Sequence, residues 1–327
     1  MARTAANVID QCEILLQDTS NVRWSAPELL EYLNMAQMDI AIRTEALGIT
    51  PAYAKTVPVK LKKGIVQKLP EDGIRIMDVR RNLGRTWITA TSYNIDDAVY
   101  LEQAITVFAD SGDDKTVTVT CVGHGLSVGD FVYIDGTTSY NGAFEVVVVP
   151  TADTFKINAL FVANDATGIF IADSLRYVCL TAHTAGTFAT DLAASKWEAS
   201  PLKSGSNIEQ WSEYNFEMLV PNWQSADPND NSEIAIWMPT TSDQKSWYCY
   251  PPQPNSTGLI YVEITYSAIP KYQDSAAPLL LGDIYASAIQ DYILYRAYAR
   301  DDDVLEGATR SEKYMEAYLN NPVFGVK

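Results

Sequence analysis

Residues 23–48 read RWSAPELLEYLNMAQMDIAIRTEALG. Leu29, Leu33, Ala36 and Ile40 recur at helical spacing. Ser25 and Glu28 have the S-x-x-E form of a capping box, Pro27 falls in the first turn where a missing N–H costs nothing, and Gly48 supplies the stop. Upstream, Val8, Cys12 and Leu15 space a shorter helix that begins after Thr4. Two such helices make a hairpin that cannot bury its apolar stripe alone, so another part of the chain or another subunit must cover it. A matching element lies at the far end, GDIYASAIQDYILYRAYARDDD at 282–303. There Ile284, Ala288, Asp291/Tyr292, Tyr295 and Tyr298/Ala299 give a helix with two apolar flanks and aromatics on both, a surface fit for burial against more than one neighbour. A last helix, Asp303 to Leu319, ends at Asn320-Asn321-Pro322 and leaves VFGVK as a tail.

Between these ends the period changes to two. Val57, Val59 and Leu61 alternate, Lys63-Gly64 turns, and Ile65 to Leu69 returns as the second arm of a hairpin. Ile74 to Val79 runs on toward Trp87, and Leu259 to Tyr266 (LIYVEITY) alternates cleanly. Trp247-Tyr-Cys-Tyr leads into Pro251-Pro252, where the strand is expected to stop. Residues 115–157 read as four or five strands separated by Gly-, Asp- and Asn-rich turns, enough for a small sandwich or barrel. The expected class is α+β: a helical-bundle core formed by the N- and C-terminal helices plus a small antiparallel sheet, with an all-β, sandwich- or barrel-like insertion. The expected boundaries are 1–90 and 203–327 for a discontinuous core, and 91–202 for the inserted β region.

Bulk properties narrow the class further. The 327 residues are 47% apolar and 20% charged, ordinary for a folded protein of one large domain or two to three small ones. No apolar run approaches the ~20 residues that span a bilayer, so no membrane partner is expected. MARTAANVIDQCEILLQD lacks the basic-then-apolar order of a signal peptide, and the chain is expected to stay in the compartment where it is made. Cys12, Cys121, Cys179 and Cys249 lie far apart inside apolar patterns, as reduced buried thiols do. Net charge is −17, from 24 basic and 41 acidic residues. A surface this acidic cannot hold nucleic acid by neutralising phosphates. Residues 51–90 are the exception, with nine basic and three acidic residues. Their basic stretch, Lys60, Lys62, Lys63, Lys68, Arg75, Arg80, Arg81 and Arg85, is either a solvated hairpin face or a patch that meets an acidic neighbour, another copy of the chain included, or faces a DNA channel.

Chemistry is sought and not found, and no cofactor or enzymatic activity is expected. His124 and His183 both sit in turn sequences and read as structural. There is no G-x-S-x-G elbow, HExxH or Walker Gly-Lys-Thr. D-P-N-D-N at 227–231 starts like a calcium loop but has Ser232 and Met238 where glycine and an acid belong, so it reads as a turn. Asp301 to Asp303 ends one helix and caps the next, and Asn255-Ser-Thr is a glycosylation sequon without a secretory signal. Trp197 with Tyr93, Tyr100 and Tyr177 is either a sugar-stacking platform or the core of a small β-module.

Two resemblances follow from these stretches. TSYNIDDAVYLEQ (91–103) and LRYVCLTAHTAGTFATDLAASKWEASP (175–201) resemble the opening and close of a small aromatic-rich β-module of phage structural proteins and chitin-binding-like modules. This implies one module from 91–103 with 173–202, and a second, Ig-like or barrel-like, nested at 104–172. RWSAPELLEYLNMAQMDIA, YCYPPQP, VEITYSAIP and DIYASAIQDYILYRAYARDDD together resemble the head-to-tail adaptor (connector) proteins of tailed bacteriophages, over roughly 1–90 and 205–327. That resemblance implies a structural virion protein of the neck or tail, made in the host cytoplasm. It implies a ring of twelve subunits under the portal, extending the channel through which double-stranded DNA passes without specific binding, and docking the tail. It implies a C-terminal segment reaching to the portal, with Pro322, Val323, Phe324 and Val326 as portal-binding candidates. Tyr285, Tyr292, Tyr295, Arg296 and Tyr298 are the subunit-interface candidates, and Lys60, Lys62, Lys63 and Lys68 the basic patch for a neighbour or the DNA channel. The competing readings are a tail nozzle or fibre-anchoring protein whose β-modules bind tail proteins or host glycans, and a virion-carried cell-wall hydrolase.

Overall fold

The computed structural model describes residues 3–113, 115–200, 205–225, 233–240, 242–254, 260–272, 274–300 and 305–325. Among them are six α-helices: α1 (Ala5–Leu16), α2 (Ala26–Ala46), α3 (Phe188–Ala193), α4 (Glu213–Leu219), α5 (Ala286–Ala299) and α6 (Leu305–Leu319). The first strands are β1 (Ala54–Lys60), β2 (Gly64–Lys68), β3 (Gly73–Thr86), β4 (Ser92–Tyr93), β5 (Ala98–Tyr100) and β6 (Gln103–Ala104). Next come β7 (Val107–Asp110), β8 (Thr116–Thr120), β9 (Phe131–Asp135), β10 (Gly142–Thr151), β11 (Thr154–Asn158) and β12 (Ile169–Ala172). The last are β13 (Arg176–Cys179), β14 (His183–Thr184), β15 (Trp197–Ala199), β16 (Glu209–Gln210), β17 (Ile236–Pro239), β18 (Ser246–Gln253) and β19 (Ile260–Ala268). The chain divides into two compact units, Met1–Ala54 with Ser267–Lys327, and Lys55–Tyr266. The α+β class with a β insertion expected from the sequence is the class observed.

The first unit is built around α5. Ala286, Ala288, Ile289, Ile293, Leu294, Ala297 and Tyr298 are all buried, because α1, α2 and α6 each pack on this helix. Each fully buried Leu or Ile contributes about 1.5–3 kcal/mol. α1 starts at Thr4, whose hydroxyl accepts from Asn7 N at 3.3 Å while Asn7 Oδ1 accepts from Thr4 N at 3.1 Å. Asp18 then accepts from the backbone N–H groups of Val22, Arg23 and Trp24 at 3.0, 2.7 and 2.9 Å and turns the chain into α2. These bonds, that of Trp24 foremost, hold its carboxyl below the usual range. Trp24 enters the core and donates from Nε1 to Ala297 O at 3.1 Å. Gln37, 1% exposed, accepts from Leu280 and Leu281 N–H at 3.1 and 3.3 Å, so the approach to α5 satisfies its backbone on α2. One expectation is corrected here. Ser25 makes no side-chain cap; the reciprocal box belongs to Thr4 and Asn7. Glu28 is drawn instead to Arg300 and to Tyr32 OH, the latter at 2.7 Å.

The second unit holds three larger sheets and the two-residue ladder β4–β14. A six-stranded sheet runs β1-β19-β3-β5-β13-β15. Its strand β19 alternates in sequence, yet every residue is buried, Glu263 included, which pairs with Arg81 at 3.0 Å. A four-stranded sheet runs β16-β17-β18-β2, with Phe216 of α4, Trp223 and Met238 in one cluster. β18 does not stop at Pro251 but continues through both prolines, a register shift separating Tyr248 from Gln253. Proline is admitted in a strand where the ladder is already interrupted.

The third sheet, β6-β12-β9-β10-β11-β8-β7, curls on itself. Register shifts in β10 at Val146–Val148 and Val148–Thr151 bend it, and Ile105 N bonds to Gly168 O while Thr106 N bonds to Thr120 O, tying both ends of the roll. Phe108, Val119, Ile134, Val146, Phe155, Ile157 and Phe170 fill its interior, each fully buried.

Glu102 ties together the six-stranded sheet. Its carboxylate accepts from Lys60 Nζ at 2.5 Å, Tyr261 OH at 2.6 Å and Thr86 Oγ1 at 2.7 Å, joining β1, β19 and β3. Burial acts to raise its pKa, but the three donors together hold it below the usual carboxylate range. Glu102→Ala should therefore cost about 2–4 kcal/mol in chemical denaturation, since it strands Lys60 and Tyr261. The stabilisation is present above the unfolded pKa of about 4.3 and is lost as pH falls through the lower folded value. Glu102→Gln should remove that part of the acid dependence, and an unchanged pH profile would show the carboxylate to be idle.

Candidate docking surfaces

The histidines and cysteines of the described residues are buried or already hydrogen-bonded. His124 is 1% exposed; its Nδ1 accepts from Leu126 N at 3.0 Å and its Nε2 lies 3.1 Å from Thr151 O. His183 stands between Cys179 Sγ at 3.7 Å from Nδ1 and Asp191 Oδ2 at 3.5 Å from Nε2, an order and spacing reminiscent of a nucleophile triad. Sequence reasoning missed this grouping because C-x3-H on a turn has no motif. It does not act as a triad. Cys179 is 0% exposed, burial pushes its thiol up, and the thiol points at Thr181 O at 3.2 Å, the same carbonyl that faces His183 Nδ1 at 2.7 Å. Burial likewise pushes Cys12 and Cys249 up to about 12, and all four thiols are free. Among the described residues no group of three or more His, Cys, Asp and Glu side chains could hold a metal ion. A polar cavity of about 690 Å³ is lined by Asn82, Arg85, Asp97, Arg176 and Glu233. Its cations are committed, Arg85 to Asp97 at 3.2 Å and Arg176 to Leu83 O at 2.8 Å and Ser200 O at 3.1 Å.

The aromatic grouping expected around Trp197 is core. Trp197, Tyr93 and Tyr100 are 3%, 1% and 0% exposed, and Tyr93 meets Trp197 edge-on at 5.0 Å, so these rings present no platform to a sugar. D-P-N-D-N at 227–231, Asn255 and Asp301 to Asp303 lie outside the described residues.

The C-terminal candidates divide. Phe324 is 2% exposed in the core of the first unit, under the Arg43 guanidinium at 4.8 Å and beside Tyr318 at 5.4 Å. Val323 is half-buried against the same core, Pro322 is exposed, and Val326 lies outside the described residues. Asn321 holds the segment by accepting from Val323 N at 3.3 Å and donating to Ser287 Oγ and Asp291 Oδ2 at 3.3 and 3.4 Å. Tyr285, just before α5, and Tyr298 on it are core residues, whereas Tyr292, Tyr295 and Arg296 are half-buried, Arg296 lying over the Tyr32 ring at 5.6 Å. Tyr295 also lines an open apolar groove of about 330 Å³ with Met315 and Leu319 of α6. Of the basic patch, Lys60 is spent on Glu102, while Lys62, Lys63 and Lys68 are exposed.

Two apolar faces escaped the sequence reading. Met35, Met38 and Ile42 form an exposed row on α2, opposite the buried stripe. Their i, i+3, i+7 spacing is that of a core stripe, so the sequence alone does not distinguish the two faces. Tyr214 and Met218, 74% and 69% exposed, do the same on the short helix α4. Exposed apolar rows of this kind are available for contact with another protein.

Residues 3–164 match the family model described as SU10 adaptor protein. The match spans just under half of the chain and covers α1, α2 and the strands through β11. It supports a phage structural adaptor, and the family is not one of enzymes; the match takes in the N-terminal helices of the resemblance, runs on through residues 91–164 and does not reach the C-terminal helices. No curated protein matches the chain. No helix among the described residues is long and apolar enough to cross a membrane.

Two substitutions test this placement in the adaptor-like chain. Phe324→Ala should destabilise the first unit by about 3–5 kcal/mol, as loss of a buried ring does, measured by thermal or denaturant unfolding. Asp291 is raised above the usual range chiefly by burial, with Asn321 opposing. A raised carboxyl contributes stability below its unfolded pKa of about 3.9 and loses it as pH rises through the folded value. Asp291→Asn should accordingly raise the melting temperature at neutral pH, and the gain should vanish toward pH ~4.

Proposed function

We propose that the chain is a head-to-tail adaptor that forms a ring of about twelve subunits beneath the portal, extends its DNA channel and docks the tail. The adaptor match over residues 3–164 carries this reading. A helical unit assembled from both chain ends supports it, with exposed apolar residues Met35, Met38 and Ile42 on one helix. Such a unit can spend one apolar face internally and another on a neighbour or the portal. The net charge of −17 suits a conduit: an acidic wall repels phosphate and lets DNA slide without being held.

In this reading Tyr292, Tyr295 and Arg296 border the subunit contact, with Tyr285 and Tyr298 holding α5 in place behind them. The segment from Pro322 faces the portal, with Phe324 as its anchor and Pro322, Val323 and Val326 as the residues offered. Residues 91–202 form the displayed part, one small module from 91–103 with 173–202 and a second nested at 104–172. The pairings of β13 with β5 and β15 and of β14 with β4 support the joining of 91–103 to 173–202, with β5 also paired to β3 in the same sheet, and the curled sheet from β6 to β12 supports the inner module. The protein belongs in the virion neck or tail and is made in the host cytoplasm.

Electron microscopy of the full chain purified with its portal tests this. A ring seated on the portal, with density for the 91–202 region on its outside, is expected. Failure to co-assemble, or binding to a glycan array, would favour a fibre-anchoring role instead.

A further inference from the structure

We propose that the free edge of β2, flanked by Lys62, Lys63 and Lys68, is a strand-addition site that takes an acidic extended segment of a second copy of this chain. It deepens the ring reading above and rests on it only for the assembled context.

Among the described residues β2 is the last strand of its sheet. Its register against β18 pairs Lys68 with Ser246, Gln67 with Trp247 and Val66 with Tyr248, and Leu69 N bonds to Lys245 O at 2.9 Å. That bond sets the phase of an antiparallel ladder: the backbone groups of Gln67 and Leu69 face β18, and those of Val66 and Lys68 face away from it. Val66 is 46% exposed, so an apolar side chain stands open to solvent beside the outward N–H and C=O groups. An accessible edge of this kind is a template for another strand.

The approach to that edge is held rigid. Gln67, 3% exposed, accepts from Lys62 N at 2.7 Å and donates to Lys62 O at 2.7 Å and Gly64 O at 3.3 Å. The turn presenting Lys62 and Lys63 is thereby closed by one buried amide. Lys62, Lys63 and Lys68 form no ion pair among the described residues, although the chain has 41 acidic residues to 24 basic ones. The carboxylate that Lys68 acts on, Asp243, is already occupied by Ser246 Oγ at 2.7 Å and Lys245 N at 2.9 Å.

Edge lysines also serve to keep strands apart, because two basic edges repel. Here they select as well as exclude. Two β2 edges repel each other, whereas a carboxylate-bearing segment is attracted, and each copy carries 41 acidic residues to 24 basic ones. Joining one surface to a different surface of the next copy is the geometry that closes into rings. Duplex DNA is the poorer partner, since three lysines on so acidic a chain neutralise too few phosphates.

The test is sedimentation of the full chain at about 0.05 M and about 0.5 M salt, comparing wild type with two variants. One is the triple variant Lys62→Glu, Lys63→Glu, Lys68→Glu. The other is Val66→Pro, which removes an outward N–H and no ladder bond. Wild type should self-associate at low salt and less at high salt. The triple variant should associate at least about tenfold more weakly, and Val66→Pro should weaken association with its melting temperature kept. If Val66→Pro does not fold, the triple variant decides alone. Wild type that stays monomeric at low salt, or variants that associate as tightly as wild type, would overturn the site. A triple variant that loses duplex binding by fluorescence anisotropy while associating normally would overturn it in favour of DNA. Variants that still form rings on the portal would overturn the site and leave the adaptor reading standing, whereas a wild type that ignores the portal would strike at that reading instead.

Discussion

α5 has almost no side to give to water. Seven of its fourteen residues are buried, and they are distributed around the helix rather than along one stripe. A helix of that kind is stable only when surrounded, and in the first unit α1, α2 and α6 surround it. The polar details follow from that enclosure. Trp24 must find a partner for its indole N–H inside the core and takes the Ala297 carbonyl. The backbone entering α5 must be satisfied away from solvent and takes Gln37. Even Phe324, near the end of the described chain, is drawn into this core and anchors the residues around it.

The second unit depends on a different constraint, the cost of burying charge. β19 carries Glu263 in a strand with every residue buried, and Glu102 lies within reach of three donors. Each carboxylate is retained because a cation answers it, Arg81 for Glu263 and Lys60 for Glu102. The basic residues of 51–90 are thus partly consumed inside the fold. What remains outside, Lys62, Lys63 and Lys68, is a smaller and more localised patch than composition indicates, and it lies along one strand edge. The buried thiols and His124 likewise serve as packing and hydrogen-bonding material.

Glu28 and Pro251 show where local rules lose to tertiary context. The S-x-x-E pattern at Ser25 is a sound local signal, but Arg300, distant in sequence, competes for the same carboxylate. A pair of prolines should end a strand, but at a register shift there is no ladder bond for them to break. The hydrophobic period located α1, α2, α5 and β19, because burial of one face leaves its mark on every third, fourth or second residue. It could not say whether the other face was exposed: β19 alternates in type and yet is buried throughout. Nor could it assign Met35, Met38 and Ile42, which repeat at helical spacing as well as the core stripe does.

By itself the sequence determined the α+β class, the helical character of both ends, the β-rich middle, the absence of recognisable catalytic motifs and the adaptor resemblance. These are properties of period, charge and order along the chain, and such properties survive without coordinates. Only the tertiary structure decided which aromatic residues are core and which are surface, which lysines are spent on buried carboxylates, that the Cys179–His183–Asp191 grouping is closed to solvent, and that β2 ends its sheet with Val66 and Lys68 turned outward. Those are questions of who competes for each polar group and which face is covered, and the competitors lie tens to hundreds of residues away.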